Sequence, residues 1–69
     1  MANHIYKTVE ITGSSPDGVT QAIEAAITKA SQTLRNLDWF EMVGVRGHIA
    51  GGGVNHYQVT LKLGFRLDD

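Results

Sequence analysis

Apolar and polar residues alternate through the first stretch, HIYKTVEITG: Ile5, Val9 and Ile11 share one face, and Tyr6, Thr8, Glu10 and Thr12 share the other. A period of two predicts a strand with one buried side. The period changes after SSPDG. Val19, Ala22, Ile23, Ala26, Ile27, Ala30 and Leu34 recur at spacings of three and four, with Gln21, Glu24, Thr28, Lys29, Gln32 and Arg35 opposite, which predicts a helix with one apolar stripe. SSPDG reads as the start of that helix: Ser14 or Ser15 caps it, Pro16 takes the first helical position and Asp17 suits the positive end of the dipole. At the other end Arg35 suits the negative end of the dipole, and Asn36 tolerates a left-handed cap.

Two strands fill the second half, joined at the glycine run Gly51, Gly52, Gly53. The last strand has the cleanest alternation, with Tyr57, Val59, Leu61, Leu63, Phe65 and Leu67 against His56, Gln58, Thr60, Lys62, Gly64 and Arg66. A slip of one position turns every side chain over, so apolar parity predicts that Val45 pairs with Val59 and Val43 with Leu61. The same register sets His48 opposite His56 and Arg46 opposite Gln58, and leaves 51 to 53 as a three-residue loop. A helix links the first two strands, so a crossover makes them parallel and the third strand antiparallel to both, in the order 1-3-2. The predicted fold class is α+β: a β-α-β-β chain with one helix packed on one face of a three-stranded antiparallel sheet. The opposite face is left bare, and it carries Arg46, His48, Gln58, Lys62 and Arg66 alongside Phe40 and Met42.

Length and composition sharpen this picture. At 69 residues the chain is expected to be one domain over 1–69, hiding only about 60% of the surface its unfolded form exposes. With no cysteine, neither a disulfide nor a thiolate metal site can staple it, which leaves oligomerisation. The absence of cysteine suits a reducing cytoplasm. MANHIYKTVE lacks an apolar signal region, and no run approaches the roughly 18 apolar residues of a membrane span. A soluble, cytoplasmic, unprocessed protein is expected. The formal net charge of -1, with no block of like charges, argues against a general nucleic-acid binder. A few cations meeting one ligand phosphate are still compatible with it.

Candidate chemistry is sparse. Trp39, the only tryptophan, reads on its residues alone as a core or interface aromatic. Strict alternation puts it on the helix side with Val43 and Val45; either it lies beyond the end of the helix, or a bulge near Phe40 to Met42 re-aims it. Gln58 is a polar mid-strand residue whose amide offers a donor and an acceptor. Arg46 and Arg66 have Glu10, Glu41 and Asp38 as available ion-pair partners. His48 facing His56 suggests two metal ligands, but no third is evident, and stable sites normally need three; a pH-sensitive contact in an assembly is the other use of such a pair. SSPDG lacks the glycine spacing and lysine of a phosphate loop. No nucleophile, base and orienting group line up, so an enzyme is not expected.

The order strand, helix, long hairpin, together with LDWFEMVGVRG and HYQVTLKLGFRL, resembles the dodecins over nearly the whole chain. The most specific pieces are D-W-F-E and V-R-G in the second strand and Y-Q-V and G-F-R in the third. The resemblance implies a flavin storage and sequestration protein of the bacterial type, assembled as a hollow homododecamer, with flavins stacked between tryptophans at two-fold interfaces. It implies FMN, riboflavin or FAD as ligand, with coenzyme A at a separate site to which no residues are assigned. By motif, Trp39 stacks on the flavin, Gln58 hydrogen-bonds the polar edge of its ring, and Arg46 and Arg66 lie near the pocket or a bound phosphate. Stacking on indole quenches an excited flavin by electron transfer, so the resemblance also implies protection from light. The alternative from another class is a homo-oligomeric assembly module without a small-molecule ligand.

Overall fold

A computed structural model describes residues 3–68. The elements are β1 (Tyr6–Ser15), α1 (Val19–Ser31), β2 (Leu37–Ala50) and β3 (Gly53–Arg66), and the sheet order is β1-β3-β2 with β3 antiparallel to both neighbours. The last strand is central, paired with β1 on one side and β2 on the other, and its clean two-residue period turns one whole face toward the helix. Its residues Val59, Leu61 and Leu63 form the buried core with Ala22, Ala26 and Ala30 of α1. Val9, Ile11, Val19, Ile23, Ile27, Leu34 and Leu37 pack around them, so the predicted helix stripe is the buried one.

The helix begins later than the sequence suggests. Ser15 remains in β1, opposite Tyr57, and its hydroxyl accepts the Asp17 N–H at 3.0 Å in a turn. Pro16 and Asp17 therefore precede the helix rather than open it, and α1 starts at Val19 behind Gly18 without a side-chain cap. The end also comes earlier than the sequence suggests: α1 stops at Ser31 with Gln32 as a right-handed C-cap, and Leu34, Arg35 and Asn36 fall in the connection to β2, where Asn36 is left-handed at φ 62°.

The hairpin register is as predicted near the turn, with His48 opposite His56, Arg46 opposite Gln58 and Val45 opposite Val59. The connection is shorter than predicted. Gly53 pairs with Ala50, leaving a two-residue turn in which Gly51 and Gly52 both have positive φ, 59° and 78°, the conformation that matches the twist of the flanking strands. Farther along, Val43 does not pair with Leu61. Gly44 faces Thr60 and Met42 faces Leu61, so Val43 is the extra residue of a β-bulge.

That bulge reverses parity for the first half of β2. Phe40, opposite Leu63, and Met42, opposite Leu61, stand on the helix side of the sheet instead of the bare face. They are nonetheless about half exposed, 48% and 51%, because α1 packs mainly on β1 and β3 and leaves most of β2 beyond Leu37 uncovered. Val45, Ile49 and Val54 continue this apolar strip, Ile49 at 75% exposure. The hairpin also runs past β1, whose pairing stops at Tyr57, so residues 48–56 project as an arm. The result is elongated, 56 × 20 × 14 Å, with a radius of gyration of 14.4 Å against about 11 Å for a compact domain of this length. Among the described residues no helix is long and apolar enough to cross a membrane.

Candidate functional site

The face of the sheet away from α1 carries Tyr6, Thr8, Glu10 and Thr12 from β1, Gln58, Thr60, Lys62, Gly64 and Arg66 from β3, and Trp39, Glu41, Arg46 and His48 from β2. Trp39 reaches this face because of the bulge at Val43, the second of the two arrangements the sequence left open. It pairs with Gly64, and a second irregularity leaves Asp38 without a partner between the pairs Leu37–Phe65 and Trp39–Gly64. The indole lies directly over Gly64: a Cβ built there would clash with the ring, nearest Cε2 and Cζ2 of Trp39. Glycine is what allows an aromatic ring this close to the backbone. One face of the indole is thus seated on β3, and the residue keeps 40% exposure.

Tyr6 bounds the ring on the β1 side, with centroids 6.3 Å apart and planes tilted by 56°. Its hydroxyl donates to Asp38 Oδ2 at 3.0 Å. That hydrogen bond is the main reason the Tyr6 phenol is raised above its ordinary pKa; exclusion of solvent and the charge of Asp38 act in the same direction, and Arg66 opposes them. Arg66 sits directly across from Tyr6, so Trp39, Tyr6, Asp38 and Arg66 gather at one end of the face.

Arg46 and Gln58 form a second cluster. Arg46 Nε donates to Gln58 Oε1 at 3.1 Å, which uses the amide's acceptor and leaves its two N–H donors for another group. Gln58 and Gly64 are six residues apart on one strand, roughly 20 Å at about 3.3 Å per residue. The structure therefore brings Arg46 to Gln58 and Arg66 toward Trp39, but does not bring the two pairs together within one chain. Neither arginine takes the carboxylate partners the sequence offered: among the described residues the ion pair observed is Arg35–Asp68, at 3.3 Å.

His48 and His56 stack at 5.2 Å with planes 12° apart. Asn55, the unpaired residue of a third irregularity, places its amide 3.1 Å from His56 Nδ1 and 3.5 Å from His48 Nδ1. Sequence reasoning gave no role at the site to Gly64, Tyr6 or Asp38. A lone glycine inside a clean alternating strand was the available signal for Gly64; nothing local marks Tyr6 and Asp38, which are 32 positions apart.

Comparison with known proteins agrees with this architecture. The Dodecin family model matches residues 5–68. A dodecin from Thermus thermophilus is 51% identical over 65 residues, covering 94% of each chain. The structure of dodecin from Streptomyces coelicolor is similar at a TM-score of 0.94 and 61% identity, covering 100% of this chain and 99% of that one. Dodecin from Streptomyces davaonensis is similar at 0.94 and 57%, covering 99% and 100%. With the family match spanning nearly all of the chain and the strand order, hairpin and helix placement shared with solved members, this chain belongs to the dodecin family.

Proposed function

We propose that the chain binds and sequesters a flavin, FMN or riboflavin, performs no chemistry on it, and does so in the cytoplasm as a homododecameric shell. The observation that carries this reading is the seating of Trp39: its indole lies against Gly64 while the residue stays 40% exposed, which leaves ring surface for a ligand. Exposed aromatic surface suits a flat, electron-poor heterocycle, and stacking of this kind contributes roughly 1 to 3 kcal/mol per ring. Gln58 supplies the polar complement, since its N–H donors are left over after Arg46 takes the amide oxygen.

The separation of about 20 Å between the two clusters supports a pocket shared between copies, in which Trp39 of one chain and Gln58 of another meet the same ligand. Arg66 beside Trp39 and Arg46 beside Gln58 are the cations available to a ligand phosphate. The exposed apolar strip of β2 supports assembly independently, because a monomer rarely leaves such a strip bare. Coenzyme A at a separate site is part of the same family expectation, with no residues assigned.

Fluorescence titration tests the reading. The protein is expected to darken FMN on mixing, and Trp39→Ala to abolish most of the affinity while leaving the oligomer intact. Parent-like binding by that variant excludes Trp39 as the platform, and an absence of binding by the parent leaves the ligand-free assembly module.

A further inference from the structure

Three strands meet at Trp39: its own β2, β3 beneath it through Gly64, and β1 through Tyr6. The Tyr6 hydroxyl crosses β3 to reach Asp38, the bulged residue immediately before Trp39. The geometry points to a latch: the Tyr6–Asp38 hydrogen bond holds the Trp39 indole flat on Gly64, which makes Tyr6 a positioning residue for ligand stacking. This rests on the flavin reading only for its functional consequence.

Four observations support it. A bulged residue has no ladder partner to fix its backbone, and among the described residues the Asp38 carboxylate's one hydrogen bond comes from Tyr6. The tilted contact at 6.3 Å lies within the range aromatic pairs prefer, so Tyr6 packs against the ring as well as bonding the residue before it. A phenol donating to a carboxylate is charge-assisted and directional, stronger than a neutral bond at the same place. Finally, Arg66 stands across from Tyr6 without pairing to Asp38 among the described residues, which leaves the carboxylate to the phenol. The functional gain is preorganisation: a tryptophan already held in its stacking orientation loses less side-chain freedom when a ligand arrives.

The experiment uses the only tryptophan as its own probe. Time-resolved fluorescence anisotropy of the ligand-free assembly reports the motion of Trp39, and FMN titration reports its consequence. Tyr6→Phe keeps the ring and deletes the hydroxyl; it is expected to add a fast component to the anisotropy decay and to weaken FMN roughly fivefold, the size of one hydrogen bond's net contribution. Asp38→Ala is expected to do the same, and the double variant to be no worse than either single one, because both remove one shared interaction. Asp38→Asn retains an acceptor and is expected to restore part of the rigidity. Parent-like anisotropy in Tyr6→Phe overturns the latch. Loosened anisotropy in a protein whose parent also fails to bind FMN upholds the latch and overturns the flavin reading instead.

Discussion

Gly64 has no side chain, yet it decides what Trp39 can do. Any residue with a Cβ there would collide with the indole, so Gly64→Ala must tilt the ring off the sheet. Overpacking of this kind costs about 1 to 3 kcal/mol, and the expected result is a loss of flavin affinity of about tenfold or more with a changed near-ultraviolet dichroism of Trp39. Parent-like affinity would show that the seat is dispensable. Gln58 makes the complementary case for polarity. It is on the open face, away from the core, so Gln58→Leu leaves the fold intact and removes only the amide. Calorimetry is expected to show flavin binding weaker by about 1 to 2 kcal/mol, because polar atoms of the ring lose their partners on burial.

At the scale of elements, the bulge at Val43 sets the faces of β2. Removing the extra residue leaves Gly44 opposite Thr60 and Met42 opposite Leu61, so every pair down to Trp39–Gly64 survives. Deletion of Val43 is therefore expected to keep the sheet's far-ultraviolet signature and to reduce flavin affinity by less than about tenfold, against near-complete loss in Trp39→Ala. A deletion variant as weak as Trp39→Ala would mean that the bend itself, and not the parity, presents the indole. This bulge is also where sequence reasoning stopped. Period two gave the strands, the three-and-four spacing gave α1, and the crossover rule gave the order β1-β3-β2, all as observed. Parity then assumes one residue opposite one residue, which a bulge breaks. The clue was the adjacent apolar pair Met42 and Val43, where the alternation changes phase ahead of Gly44. The helix start misled for a different reason. Ser15 and Pro16 suit a cap and a first turn, but pairing of Ser15 with Tyr57 extends β1 through the position where the cap was expected. Contacts between distant positions, such as Tyr6 with Asp38, have no local signature at all.

For the whole molecule, the apolar strip on β2 and the projecting arm argue that the single chain is one part of a larger body. Sedimentation at low micromolar concentration is expected to give one species near twelve chain masses, with thermal stability raised further by flavin, since a ligand that binds only the assembled state stabilises it. A monomer or dimer under those conditions would remove both the shell and the shared pocket. The strand order has one more consequence, which concerns how the chain is made. β3, the middle of the sheet, is the last element in the sequence, and its partners on β1 lie from 42 positions away, Ser15 with Tyr57, to 60 positions away, Tyr6 with Arg66. A chain leaving the ribosome presents β1 and α1 before the strand that pairs with β1 has been made. The β1 ladder has to wait for β3, and until then the apolar residues of β1 and α1 are open to chaperones or to a neighbouring copy.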